Sequence, residues 1–182
     1  PGHFLVVADL VDRTKNVSGV LRAMAQARKH EPRIKLTVIG DGPDRAALEQ
    51  FAADLGISAW VTYLGRLANR EVLDRMAHAA GVIINSNVET FSVVTGEALA
   101  QGKPVIATRC GGPMAFVTPE NGIMIDTRDD DALAHAMVDL TQNADRYNAA
   151  TIRDSVNSRS SPEAVGRTLL ELYTSIVPTT DA

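Results

Sequence analysis

Short apolar, β-branched runs alternate with longer stretches of helical spacing along nearly the whole chain, and this alternation constrains the fold more than any other feature. Phe4–Ala8, Ile34–Ile39, Trp60–Leu64, Gly81–Asn85, Pro104–Thr108 and Gly122–Ile125 read as strands. Val17–Lys29 places Val17, Val20, Leu21 and Met24 on one helical face. Gly40-Asp41-Gly42-Pro43 turns the chain into a second helix, and Pro43 suits a first helical turn. That helix carries Leu48, Phe51, Ala52 and Leu55 and stops at Gly56, a natural left-handed terminus. Arg70–Ala79, Val93–Gln101, Asp129–Leu140 and Glu163–Ile176 read as further helices, the third with acidic residues where the helix dipole favours them. Residues 143–162 are polar and carry no clear pattern. Strands separated by helices imply parallel βαβ units with right-handed crossovers. The expected fold is therefore α/β: a doubly wound, mainly parallel, six-stranded Rossmann-like sheet with helices on both faces. Such sheets bind ligands beyond the carboxyl ends of their strands, so the loops after Ala8, Ile39, Leu64, Asn85 and Thr108 should line one crevice.

Composition narrows the partners. The chain has 182 residues, 45% of them apolar and 22% charged, with a net charge of −4 and both signs interspersed. That balance argues against a nucleic-acid partner. The single cysteine, Cys110, excludes a disulfide framework and a cysteine-based zinc cage and fits a reducing, cytoplasmic compartment. His3, His30, His78 and His135 have no metal-ligand spacing, so no metal site is expected. No apolar run reaches the ~20 residues that span a bilayer, and no signal peptide is visible. The chain opens at Pro1 without a methionine, which reads as a piece of a longer polypeptide.

The chemistry concentrates after the fourth strand. Glu89 and Glu97 bracket seven residues, Thr90-Phe91-Ser92-Val93-Val94-Thr95-Gly96. Ionised carboxylates only accept hydrogen bonds, so each can take a pair of sugar or ribose hydroxyls. A helix starting near Ser92 or Val93 offers unpaired backbone N–H groups to a phosphate. On physical grounds alone, two glutamates on one helix also fit a solvated face, and Lys15 fits an ordinary surface lysine. Cys110 can be a small buried residue. Gly111-Gly112 can be a turn or a close approach to a ligand. Gly40 and Gly42 suggest a dinucleotide fingerprint, but Arg45 replaces its third glycine, which favours a tight turn.

The segment resembles the E-x7-E motif of glycosyltransferase family four, and other features follow in that family's order. Lys15-Asn16 resembles its lysine-glycine, Val38-Ile39-Gly40-Asp41-Gly42-Pro43 its strand and G-D-G-P turn, and Val61-Thr62-Tyr63-Leu64-Gly65 its V-x-F-L-G strand. Glu97-Ala98-Leu99-Ala100-Gln101-Gly102-Lys103-Pro104-Val105-Ile106-Ala107-Thr108 is similar to E-A-x-A-x-G-x-P-V-V-A-T, and Gly111-Gly112 and Asn121-Gly122 fall in place. The resemblance implies that residues 1–182 form the nucleotide-sugar-binding, C-terminal half of a two-domain GT-B enzyme. This would be a retaining, hexosyltransferase-type glycosyltransferase that uses no metal and no cofactor beyond a UDP- or GDP-type donor. Lys15 would hold the diphosphate. The backbone of Gly65, Arg66 and Leu67 would hold the base, and Glu97 the ribose. Glu89 would face the transferred sugar, with the amides of Phe91, Ser92 and Val93 around sugar and phosphate. Glu89 and Lys15 would be the catalytic pair. The acceptor would sit on an absent N-terminal domain, so the isolated chain should be inactive. Peripheral membrane association of the full enzyme is compatible with this picture. A non-catalytic nucleotide-sugar-binding or interaction domain, or half of a GT-B nucleotide-sugar epimerase, is the alternative. The last helix, with Leu169, Leu170, Leu172 and Tyr173, could dock on the absent domain or pack on this one.

The chain departs from the family pattern at identifiable places. Thr90 and Ser92 stand where E-G-F-G is common, and Ala115 where many members carry glutamate. Ser92 is expected to keep a role at the helix start. Ala8-Asp9-Leu10 replaces G-R-L, so an acid stands where the family has arginine. Two like charges ~5 Å apart at an effective dielectric near 20 repel by roughly 3 kcal/mol, so Asp9 is expected to turn from the phosphates, pair with Lys15 or be offset by Arg13. Asp9→Arg should tighten nucleoside-diphosphate binding in isothermal titration if the pocket is merely impaired; unchanged binding would indicate a repurposed pocket.

Overall fold

The structure, a computed structural model, describes residues 2–176; Pro1 and residues 177–182 lie outside the described residues. The elements run β1 (His3–Val7), α1 (Asp12–Lys15), α2 (Val17–Ala27), β2 (Lys35–Ile39), α3 (Arg45–Asp54), β3 (Val61–Gly65), α4 (Asn69–His78) and β4 (Gly81–Ile84). They continue as α5 (Val93–Ala100), β5 (Val105–Thr108), β6 (Gly122–Ile125), α6 (Asp130–Gln142), α7 (Ala149–Ser160) and α8 (Pro162–Ile176). The six strands form one sheet in the order β3-β2-β1-β4-β5-β6. Every pairing is parallel. This is the doubly wound arrangement that the alternation predicts.

The continuous apolar runs are explained by helices on both faces. Successive strand side chains point to opposite sides. Phe4 and Val6 enter one core with Ile83 and Ile106, against Leu21 and Met24 of α2 and Leu133 and Met137 of α6. Leu5, Val82, Ile84, Val105 and Ala107 enter the other, against Val72 and Met76 of α4 and Ala98 and Leu99 of α5. A strand buried on both faces has no polar side to show.

Ends of elements follow local chemistry. At the end of α3, Gly56 adopts φ 69°. Its N–H reaches the Ala53 carbonyl and the Ile57 N–H the Ala52 carbonyl, the paired closure of a left-handed helix terminus. Asp129 caps α6 by accepting the Ala132 N–H at 2.9 Å. Pro43 lies in the turn ahead of α3 rather than inside its first turn, and Trp60 belongs to a 3-10 turn (Ser58–Trp60) rather than to β3. Trp60 lies against the Arg28 guanidinium, 3.7 Å from its ring centroid.

The patternless 143–162 stretch contains α7. Only Ile152 and Val156, one turn apart, are buried on it. They join the α4–α5 core, and Asn148 caps the helix through the amides of Ala150 and Thr151. Two large apolar residues in twelve are too few to make a visible stripe. By contrast, α8 buries no residue, and Val165, Leu169, Leu170, Leu172, Tyr173 and Ile176 are all exposed. Of the two fates open to the last helix, burial of Leu169, Leu170, Leu172 and Tyr173 on this domain is not what the described residues show. No described helix is long and apolar enough to cross a membrane.

These contrasts set a stability test. Ile152→Ala should cost about 2–4 kcal/mol, the penalty for emptying a closed core site. Ile176→Ala should change stability by less than about 0.5 kcal/mol. Urea unfolding of both variants measures the difference.

Candidate functional site

Strand order reverses between β1 and β4: the chain winds outward through β2 and β3, then returns to β4 on the other side of β1. Loops leaving the two strands diverge there and open a crevice. A cleft of about 400 Å³ occupies that place, floored by Val6, Val20 and Ile83 and walled by the loops after β1, β3 and β4.

The β1 and β4 loops are bolted together. Asn85 Nδ2 donates to the Asn16 carbonyl at 3.1 Å and Asn87 Nδ2 to the Arg13 carbonyl at 2.8 Å. The Asn87 backbone N–H reaches the Thr14 carbonyl at 2.7 Å. Asn16 sits at φ 49° between α1 and α2. That left-handed conformation explains the glycine of the related motif, and asparagine is among the few other residues that tolerate it. Ser92 repeats the situation at φ 65° ahead of α5, again where the family favours glycine.

Lys15 and Glu89 meet in the cleft, Nζ to Oε1 at 2.6 Å, with side chains 26% and 16% exposed. The same oxygen accepts the Ser86 hydroxyl at 2.7 Å. Ser86 is buried, and its carbonyl accepts the Thr108 hydroxyl at 2.5 Å. The Glu89 backbone is fixed from the other side: its N–H donates to the Cys110 carbonyl and its carbonyl accepts the Gly112 N–H at 2.8 Å. Gly111-Gly112 is thus a close backbone approach to Glu89 and not merely a turn. Gly111 lies at φ 114°, and a Cβ there would stand 2.4 Å from the Glu89 carbonyl oxygen.

Of the sequence-predicted residues, Lys15, Arg66, Leu67, Glu89, Ser92 and Val93 line this cleft, while Gly65, Phe91 and Glu97 stand outside its wall. The Gly65 carbonyl accepts the Gly40 N–H at 2.8 Å, tying the β3 loop to the β2 loop. Phe91 is exposed and meets Phe116 edge-on at 5.3 Å. Glu97 Oε1 accepts the Asn69 amide at 2.8 Å, bridging the start of α4 and the middle of α5. The expectation for Ser92 needs correcting at its side chain: the hydroxyl pairs with Thr95 Oγ1 at 2.8 Å and makes no cap bond to the backbone. What α5 offers is its first amides, which have no intrahelical carbonyl to bond. Asp9 pairs with neither Lys15 nor Arg13 among the described residues. It lines the cleft mouth and lies 3.9 Å from Arg66, both side chains largely in solvent, where such a pair contributes little. Burial pushes the Cys110 thiol up, opposed by the Thr108 hydroxyl and aided by the Glu89 charge, so it holds little nucleophilic thiolate. Among the described residues no three metal-ligating side chains cluster.

Comparison with known proteins places this arrangement. The sequence profile of Glycosyl transferases group 1 matches residues 2–154, and the chain belongs to that family. It is 33% identical over 175 residues to a D-inositol 3-phosphate glycosyltransferase of Corynebacterium urealyticum, covering 91% of this chain and 41% of that one. Lipopolysaccharide core biosynthesis glycosyltransferase LpsD of Rhizobium meliloti is 30% identical, with coverages of 88% and 46%. The chain therefore spans less than half the length of these curated relatives. Its fold matches that of Anabaena Alr3699/HepE in complex with UDP, with TM-score 0.84, 23% identity and coverages of 96% and 49%. It also matches the pneumococcal O-GlcNAc transferase GtfA in complex with UDP and GlcNAc, with TM-score 0.83, 16% identity and coverages of 98% and 36%.

Two glycines in this region should respond oppositely to alanine. Gly111→Ala should destabilise by about 1–3 kcal/mol, the cost of forced backbone strain. Gly96→Ala, in α5 where a Cβ would meet the Phe116 ring at an ordinary contact distance of 4.0 Å, should stabilise by about 0.5–1 kcal/mol. Thermal unfolding compares the two.

Proposed function

We propose that this chain is the donor-binding half of a retaining glycosyltransferase that uses a nucleoside-diphosphate sugar of the UDP or GDP type. The observation that carries the reading is the convergence of Lys15, Glu89 and the open amides of α5 on one cleft at the strand-order reversal. An ammonium group and a helix N-terminus suit a diphosphate. A carboxylate with an oxygen to spare suits sugar hydroxyls. Among the relatives, a Corynebacterium glutamicum mannosyltransferase 29% identical to this chain is named as GDP-mannose-dependent, which supports a nucleotide-sugar donor.

In this reading Lys15 and the α5 amides neutralise the negative charge that grows on the diphosphate as the anomeric bond breaks, an electrostatic role set in place before reaction. Glu89 orients the sugar. The backbone of Gly65, Arg66 and Leu67 receives the base, and Glu97, with one oxygen already held by Asn69, offers the other to the ribose. The acceptor comes from a part of the enzyme beyond this chain.

The Asp9 carboxylate at the cleft mouth favours a second reading, a binding domain that has lost transfer. Isothermal titration with UDP, GDP and ADP separates these from an unrelated role: at least one diphosphate should bind. A folded chain that binds none of them would sink both readings. Transfer from UDP-glucose or GDP-mannose by the isolated chain should be negligible, and robust turnover would overturn the division of labour between two domains.

A further inference from the structure

The Glu89 carboxylate is used unevenly. Oε1 takes both Lys15 and Ser86, whereas Oε2 has no hydrogen-bond partner among the described residues. The two donors differ in kind. Lys15 carries its charge on a long, flexible stem, and the diphosphate competes for it. Ser86 reaches Oε1 with a short side chain that has a single carbon-chain rotation. It lies 3% exposed, and Thr108, itself fully buried, holds its carbonyl. A carboxylate as enclosed as Glu89 cannot be left without a donor at no cost. When Lys15 turns to phosphate, Ser86 is the protein group that still anchors Oε1.

We propose that Ser86 is a positioning residue: its hydroxyl holds one oxygen of Glu89 so that the other faces the sugar of the bound donor, including when Lys15 is engaged by the diphosphate. The inference rests on the donor-binding reading above. It explains why a short hydroxyl side chain is buried at the carboxyl end of β4, where an apolar residue would extend the core. It also gives the pair an order of events. In the empty cleft Lys15 and Glu89 neutralise each other; on donor entry the lysine changes partner and the serine keeps the carboxylate in register.

The test separates sugar recognition from nucleotide recognition. UDP, GDP, UDP-glucose, UDP-N-acetylglucosamine and GDP-mannose are titrated into the wild-type chain, and the tightest sugar nucleotide and its parent diphosphate are carried forward. Ser86→Ala should weaken the sugar nucleotide by about tenfold, the scale of one hydrogen bond to a charged group. The parent diphosphate should change by no more than about twofold. Ser86→Cys keeps the side-chain volume with a weak donor, and should show the same selective loss if the alanine variant folds poorly. In a Glu89→Ala background, Ser86→Ala should have no further effect, because nothing remains to position. Equal weakening of diphosphate and sugar nucleotide, no weakening of either, or an undiminished effect in the Glu89→Ala background would each overturn the proposal. If the wild-type chain binds the diphosphates, those outcomes strike Ser86 alone. If it binds no nucleotide, the donor reading falls and this inference with it.

Discussion

The parallel pairing of β1 with β4 is the constraint on which the cleft depends. Only Phe4↔Gly81 and Leu5↔Val82 carry the register, yet this short contact joins the two halves of the winding. It brings the loop holding Lys15 against the loop holding Glu89. Three hydrogen bonds from Asn85 and Asn87 then fix the loops to each other. All the acceptors are backbone carbonyls of residues 13–16. The positions of Lys15 and Glu89 are thereby set by how one loop is anchored to the backbone of the other. The sheet beneath is buried on both faces, so the floor of the site is also the middle of both cores.

How much of this was readable in the sequence depended on the range of the interactions. The strands and most helices were legible because their signals are local: apolar runs, helical periodicity, and a glycine such as Gly56 placed where the chain must turn left-handed. The Glu89–Glu97 spacing was legible for the same reason, as was the position of Lys15 relative to β1. Helix α7 was not, because the residues it buries are Ile152 and Val156 alone, with the Asn148 cap as its one visible mark. Ser86, Asn69, Asn85 and Asn87 escaped notice as contributors because a serine or asparagine in a loop carries no sign of its partner. Asn85 and Asn16 are 69 residues apart. Asp9 could be flagged as a departure, but its neighbour Arg66 comes from the loop after β3 and no pattern along the chain joins them.

The departures also show what the family's glycines are for. Asn16 and Ser92 stand where glycine is usual and keep the left-handed backbone that glycine would adopt freely. Asparagine does so at small cost, and serine at more. The shape of both loops therefore survives the change of residue. Charge is not preserved in the same way. Replacing a cation by Asp9 leaves the mouth of the cleft with an acid paired, among the described residues, with a solvent-exposed arginine, while the deeper Lys15–Glu89 pair is internally neutral.

The bridge between Glu89 and the Cys110–Gly112 segment has a consequence for how the protein comes into being. Synthesis delivers Lys15 early and Glu89 much later, but the glutamate's backbone has no fixed place until Thr108 to Gly112 have also emerged and β5 has added beside β4. Contacts between such distant parts of a chain form slowly, because the loops joining them must first close. While the chain grows, its earlier segments can collapse around Phe4, Leu21 and Met24, yet the cleft does not exist in any of those shorter forms. A ligand of the cleft cannot assist the opening stages of folding; it can only select the finished sheet.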